Sequence, residues 1–177
     1  MSSTTSNRGR PSWDARVRRS TPIIAALGVA GAVALVIFVG HGQFHEPDLA
    51  PILTASPQIK IHLAAALLAF ALGTVQMLAP KGTVPHRIMG WTWATLMMVV
   101  AIASIFIKVI YPGHFSYIHI LTAWVLIATP LGVWAARRGD IQAHARFMSG
   151  LYYFSLIVAG AFTFAPGRIL FNVFFGH

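Results

Sequence analysis

Long apolar runs with almost no charged residues constrain this chain more than any other feature. Two of them, at 61–87 and 118–146, carry a histidine near each end. A helix needs roughly 20 apolar residues to cross the hydrocarbon of a bilayer. The whole chain is 56% hydrophobic and 10% charged, whereas a soluble domain carries about 25% charged residues. The sequence therefore predicts an integral membrane protein.

Five transmembrane helices are predicted from the apolar runs and from the prolines and glycines that separate them. They are 22–40 (TM1), 58–79 (TM2), 86–111 (TM3), 117–136 (TM4) and 143–165 (TM5). A basic leader at 1–21 is predicted to be disordered, and an apolar tail at 166–177 is predicted to form a short helix in the membrane interface. The predicted fold is an all-α membrane protein in which TM2–TM5, at 58–165, form a four-helix bundle.

The basic residues predict an orientation in the membrane. Thirteen Lys and Arg against four Asp and Glu give a net charge of +9. Besides the leader, two connections carry this excess: TM2–TM3, with Lys81 and Arg87, and TM4–TM5, with Arg137, Arg138 and Arg146. Basic loops stay in the cytoplasm, so the N-terminus is predicted to be cytoplasmic and the C-terminus periplasmic, in a bacterial inner membrane.

Charge also bears on the partners. The basic residues are scattered among apolar spans rather than gathered into one patch, which disfavours nucleic acid as a partner. The bilayer itself is the partner that the composition predicts, through lipid contact along the spans and anionic headgroups at the basic loops.

Four histidines lie at two predicted depths. His62 and His86 are 24 residues apart, and His119 and His144 are 25 residues apart, which is about one membrane crossing each. The predicted topology places the first histidine of each pair on the external side and the second on the cytoplasmic side. Histidine inside a membrane is costly and usually faces the bundle interior or a cavity.

A short internal repeat supports this arrangement. The segment HRIMG at 86–90 and the segment HARFMSG at 144–150 share His, Arg, Met and Gly in the same order. Each follows an apolar helix that begins near a histidine. The pattern predicts a two-helix parallel repeat, with its two copies related by an axis along the membrane normal.

Two histidines on facing helices are typical axial ligands of haem iron. We therefore predict that His62 and His119 bind one haem and that His86 and His144 bind another. A closed, six-coordinate iron suits electron transfer. Arg87 and Arg146 follow the cytoplasmic histidines and are candidates to pair with haem propionates. The alternative for both is that they anchor the helices at the headgroups.

The absence of certain residues excludes several functions. The chain has no cysteine, which excludes disulfides and iron–sulfur clusters. No Asp or Glu lies inside a predicted span, which weakens a proton-coupled transporter, and no nucleophile–base pair predicts a catalytic residue. A haem-free membrane subunit or scaffold stays open, with histidines that are structural or touch quinone or lipid. His41, His45 and Glu46, in a predicted loop, suggest a surface metal site, a quinol contact or simple solvation.

Two resemblances follow from these motifs. His62 with Gly73 and Gln76, then HRIMG at 86–90 and HARFM at 144–148, resemble an uncharacterised bacterial membrane protein family, domain of unknown function 2306, over about 58–165. The four-histidine layout is similar to that of the di-haem transmembrane cytochrome b family that includes ascorbate-dependent members.

The second resemblance implies a transmembrane oxidoreductase. That family places haem ligands on the first and third and on the second and fourth of four successive helices, which His62/His119 and His86/His144 match. It implies two haems b and electron transfer across the bilayer, from ascorbate or quinol to ferric iron, a quinone or another acceptor. This chain departs from it in having five predicted helices rather than six and no ascorbate-binding motif, so its redox partner stays open.

Overall fold

The computed structural model describes residues 46–107 and 118–175, together with Ala30, Gly31 and Ala34. The predicted TM1 lies almost entirely outside the described residues. The leader lies outside them as well, and so do four histidines: His41, His45, His114 and His177. The described residues form helices and no strands. These are α1 (Ala50–Leu53), α2 (Pro57–Leu78), α3 (Val84–Ile105), α4 (Ile118–Arg137), α5 (Ile141–Gly150), a π-helical segment (Leu151–Val158), α6 (Ala159–Phe162) and α7 (Ile169–Phe174).

Four of the described helical stretches are long and apolar enough to cross a membrane. They are α2, α3, most of α4, and the continuous stretch Ile141–Phe162 that joins α5, the π-helical segment and α6. The predicted all-helical membrane protein is confirmed at this level. The predicted boundaries differ most for α3, which ends at Ile105 rather than at residue 111. Short α1 lies inside the stretch that was predicted to be a loop.

Local chemistry explains where the spans begin and end. Pro57 and Pro85 lie in the first turns of α2 and α3, where a missing N–H costs nothing. The Thr83 hydroxyl accepts a hydrogen bond from the His86 amide at 3.3 Å. Asp140 caps α5 in the same way, accepting from the Ala143 amide at 2.9 Å. Both caps satisfy N–H groups that a helix start otherwise leaves unpaired.

The four spans pack as a closed ring. Helix α2 packs on α3, α3 on α4, and α4 on α5, while the π-helical segment returns to contact α2. Consecutive helices joined by short connections run antiparallel, so α3 and the stretch Ile141–Phe162 lie diagonally across the bundle. The four-helix bundle that was predicted for TM2–TM5 is the arrangement observed here.

Small residues of α2 let large side chains fill the middle of the bundle. Ala69 and Gly73 are buried, and Trp93 and Tyr152 pack against them. The Trp93 indole N–H donates to the Ala69 carbonyl at 2.9 Å. The Tyr152 and Thr74 hydroxyls lie 2.7 Å apart. The space beside these small residues of α2 is therefore filled by protein at the centre of the bundle.

The π-helical segment was not predicted, and it changes which residues face inward. Its buried residues are Leu151, Tyr152, Leu156 and Ile157. Residues five apart in an α-helix point about 140° away from each other, whereas π-helical bonding between residues five apart brings them onto one face. Leu151 with Leu156, and Tyr152 with Ile157, therefore share the inner face.

The two ends of the bundle are distinct. We call them the His86 end, which carries His86 and His144, and the His62 end, which carries His62 and His119. At the His62 end α1 packs against α7, and the Asp48 amide donates to the Val173 carbonyl at 3.0 Å. Helix α7 supplies the short helix that was predicted within the tail.

Substituting Gly73 tests the packing at the centre. A Cβ atom there would lie 2.7 Å from both the Trp93 indole nitrogen and a Tyr152 ring carbon. Because neither ring can retreat within a filled core, we expect Gly73→Ala to lower the free energy of unfolding by about 1–3 kcal/mol. Thermal unfolding of the detergent-purified protein measures this change.

The matched control is Gly160→Ala, at a helical position with open space around the new methyl group. There we expect no loss and a gain of up to about 1 kcal/mol, because alanine is the better helix former. Equal stability of the Gly73→Ala variant and the natural sequence would contradict the packing described here.

Candidate functional site

His86 and His144 meet across the interior of the bundle. Their ring centroids are 6.4 Å apart, and their planes are inclined by 83°. His86 lies in the first turn of α3 and His144 in the first turn of α5. These two helices are diagonal neighbours, so each side chain must point inward to reach the other. The predicted pairing of these two histidines is consistent with this geometry.

One histidine at each end is oriented by a backbone carbonyl of a neighbouring helix. His144 Nδ1 lies 2.9 Å from the Gly132 oxygen of α4, and His62 Nδ1 lies 2.9 Å from the Val100 oxygen of α3. A carbonyl oxygen can only accept, so in each ring Nδ1 carries the proton and Nε2 keeps a lone pair. This is the tautomer of a histidine that binds a metal through Nε2.

His86 is held differently. Its backbone carbonyl accepts a hydrogen bond from the Gln76 amide nitrogen at 3.0 Å. Its Nδ1 is buried and has no hydrogen-bond partner among the described residues. The nearby Lys81 ammonium donates to three carbonyls at the end of α2, those of Gln76, Met77 and Ala79. Partial burial lowers the pKa of Lys81.

The His62 end has a polar layer of its own. Beside the His62 bond to Val100, the hydroxyls of Ser104 and Thr122 lie 2.7 Å apart and are buried between α3 and α4. Ser104 follows Val100 by one helical turn, and Thr122 follows His119 by a little less than one turn. Because α3 and α4 run antiparallel, His119 lies almost one turn beyond the Ser104–Thr122 contact towards the end of the bundle, whereas the Val100 carbonyl that holds His62 lies one turn before it. The direct approach of His62 and His119 to one another stays a prediction.

The spacing of the His86–His144 pair can be compared with that of a haem site. Two axial iron–nitrogen bonds of about 2 Å, and about 1 Å from each nitrogen to its ring centre, place the two ring centres about 6 Å apart. The observed 6.4 Å is close to this value. Among the described residues, no three His, Cys, Asp or Glu side chains gather as a metal site; a bis-histidine iron needs only two.

The walls around this pair are made partly of glycine. Gly90 lies one turn after His86, and Gly132 supplies the carbonyl that orients His144. The space beside Gly132 is filled by Met148 and Phe147 of α5. Methionine is flexible and adapts to irregular space, so a flat ligand at this level would require Met148 to change its rotamer. The residue types and the separation of the ring centres are those of a bis-histidine site, and Met148 is the side chain that must move.

Exposed basic residues surround the same end. Arg87 and Arg146, predicted to pair with propionates, are both exposed, and that role stays a prediction. The guanidinium of Arg137 lies 5.3 Å from the centre of the Trp91 ring, and that of Arg138 lies 4.6 Å from the Trp134 ring. Such cation–π contacts hold charge beside an amphipathic ring, as is common where a helix leaves the hydrocarbon.

Comparison with protein families gives one clear result. A model of the family described as Predicted membrane protein (DUF2306) matches residues 59–177, more than half of the chain. This chain belongs to the DUF2306 family. The match spans all four helices of the bundle and the four histidines discussed above. No curated protein and no solved structure matches the chain.

Several groups at the candidate site were not predicted from the sequence of this DUF2306 protein. The carbonyls of Val100 and Gly132 orient two histidines, but backbone atoms leave no signal in residue type. Gln76 could be recognised as the one polar group on its helix face, yet its contact with His86 could not. Of the tryptophans, Trp93 is buried while Trp91 is half exposed, at 5% and 53%.

Replacing histidine by phenylalanine tests the orienting hydrogen bonds. In the haem-free protein, His144→Phe and His62→Phe keep an aromatic ring but remove the bond to the neighbouring helix. We expect each to lower the free energy of unfolding by about 0.6 kcal/mol, and by no more than about 1.7 kcal/mol, as for other interhelical hydrogen bonds in membranes.

His86→Phe is the control within the same cluster, because His86 Nδ1 has no described partner to lose. Its loss of stability should be smaller than that of His144→Phe or His62→Phe. Thermal unfolding in one detergent measures all three variants, and an equal loss in all three would contradict the assigned roles of the carbonyls.

Proposed function

We propose that this protein is a membrane-embedded, b-type cytochrome-like electron carrier. His86 and His144 would hold one haem, and His62 and His119 would hold a second at the opposite end of the bundle. The observation that carries the proposal is the approach of His86 and His144 across the bundle, with ring centres 6.4 Å apart. When bound, such a haem supplies one-electron transfer without an open position for substrate.

The residues of the chain would contribute orientation and insulation. The carbonyls of Gly132 and Val100 bind Nδ1 of His144 and His62, and each Nε2 would then be the ligand atom. The buried middle of the bundle, with Trp93 and Tyr152, keeps the two histidine ends apart and dry. Electron flow from one side of the membrane to the other fits this separation, with quinol or another unidentified carrier as the donor.

We also propose that residues 22–40 supply a fifth span and that the bundle is a parallel repeat of two helix pairs. One feature of the packing supports the repeat. Gly73 in α2 and Gly132 in α4 each lie against a large side chain of the helix that follows. With the basic loops at the His86 end, this topology places that end in the cytoplasm.

A second candidate function is a haem-free membrane subunit or scaffold. The observation that favours it is that Met148 and Phe147 fill the space beside Gly132. In that case the bonds of His62 and His144 to backbone carbonyls would serve to join helices. Their contribution would then be purely structural, and quinone or lipid contact would be the remaining role for His86 and His119.

Absorption spectroscopy separates the two functions. Protein produced with ample haem and purified in detergent should show, after reduction, the sharp α-band of bis-histidine haem b. His86→Phe and His144→Phe should each remove about half of this band, because each deletes one ligand of the same iron. His45→Phe, at a histidine that is not a proposed ligand, is the control and should keep the full band. Colourless protein would leave the scaffold function standing.

Labelling of introduced cysteines tests the orientation, because the natural chain contains none. Ser56→Cys lies at the His62 end and Gln142→Cys at the His86 end, both at exposed positions whose side chains make no capping bond. In spheroplasts, a membrane-impermeant maleimide should label the cysteine at 56 and should reach that at 142 only after lysis. The reverse pattern would invert the proposed topology.

A further inference from the structure

The connection between α2 and α3 is organised by Gln76. Its backbone carbonyl accepts a hydrogen bond from the Lys81 ammonium at 2.6 Å. Its side-chain nitrogen donates to the His86 carbonyl at 3.0 Å. One residue therefore links the end of α2, the turn and the start of α3. The same network positions the backbone of His86, because the His86 carbonyl accepts from Gln76 and the His86 amide donates to the Thr83 hydroxyl.

Two buried atoms of this network have no hydrogen-bond partner within the described parts of the chain. They are Gln76 Oε1 and His86 Nδ1. The orientation of the Gln76 amide is determined by its bond to the His86 carbonyl, because only its NH₂ group can donate. Its oxygen therefore cannot exchange places with its nitrogen. Buried polar atoms of this kind are normally satisfied, often by an ordered water.

The two atoms are complementary. Gln76 Oε1 only accepts, and His86 Nδ1 donates in one of the two neutral tautomers of imidazole. The other two oriented histidines, His62 and His144, each use Nδ1 in a bond to an oxygen. No backbone carbonyl among the described residues accepts a hydrogen bond from His86 Nδ1. Gln76, whose side-chain nitrogen already binds the His86 backbone, carries an amide oxygen that lacks a donor.

We infer that Gln76 is a positioning residue for His86: its side-chain oxygen holds the Nδ1–H of His86 through one bound water molecule. The water accepts from Nδ1 and donates to Oε1, so both buried atoms gain a partner. His86 Nε2 then keeps its lone pair, as His144 Nε2 does. The role of this lone pair as an iron ligand rests on the proposed function, whereas the hydrogen bonding does not.

The tautomer of His86 in the haem-free protein tests the inference. Nitrogen-15 NMR of histidine-labelled protein in nanodiscs distinguishes a protonated from a bare ring nitrogen, and His86→Phe identifies the signals. In the natural sequence, His86 should carry its proton on Nδ1. Gln76→Leu removes the acceptor, and we expect the ratio of the Nδ1–H to the Nε2–H tautomer to fall about tenfold, as for the loss of one ordinary hydrogen bond.

Two comparisons make the result specific. Gln142→Leu makes the same change at an exposed position in the first turn of α5 and should leave His86 unchanged. The tautomer of His144, whose Nδ1 is bound to Gly132, should not change in either variant. An unaltered His86 tautomer in folded Gln76→Leu protein would overturn the inference.

Gln76→Met keeps the test decisive if the leucine variant does not fold. Methionine removes the same acceptor but keeps an unbranched, flexible side chain of similar length, so the ratio of the Nδ1–H to the Nε2–H tautomer should fall as in Gln76→Leu. An unaltered ratio would overturn the inference.

Haem retention separates this inference from the proposed function. If haem binds, Gln76→Leu should weaken its retention about 10- to 100-fold, the usual effect of losing a group that orients a metal ligand. If the protein binds no haem but the tautomer responds to Gln76, the positioning role stands and the electron carrier fails. If haem binds but the His86 tautomer does not respond to Gln76→Leu, the positioning role fails and the electron carrier stands.

Discussion

Hydrogen bonding between helices is the constraint on which the rest of this structure depends. Inside a bilayer a polar side chain has no bulk water to bond with, so it must find a partner in the protein or in an individual bound water. His62, His144, Trp93 and Gln76 each reach a backbone carbonyl of another helix. These contacts determine the axial register between neighbouring helices, which apolar packing alone defines poorly.

Small residues make these contacts reachable. Gly73 and Ala69 bring the backbone of α2 close to the rings of Trp93 and Tyr152, and an added methyl at Gly73 would collide with both rings. Gly132 does the same for α4, whose carbonyl can therefore reach His144. Close approach and hydrogen bonding thus reinforce one another, as is usual for helices that associate in lipid. The histidine ends are separated because the middle of the bundle is filled.

Much of the architecture was predictable because it depends on residue type and spacing. The four described spans follow from apolar runs ended by Pro80, Gly139 and similar breakers. The π-helical segment was not predictable, since its sequence is apolar and compatible with an ordinary helix. Pairing of His86 with His144 was suggested by the repeat, but the angle and distance between the rings required the structure.

By itself, the sequence determined that this is a helical membrane protein, where its described spans lie, and which four histidines would be candidates for a shared site. It could do so because crossing a bilayer demands long apolar helices and makes every polar residue within them conspicuous. Only the tertiary structure decided which oxygen each histidine meets: Val100 for His62, Gly132 for His144, and for His86 a backbone contact with Gln76. The reason is that carbonyl groups are identical along the chain, and their availability depends on how closely two helices approach.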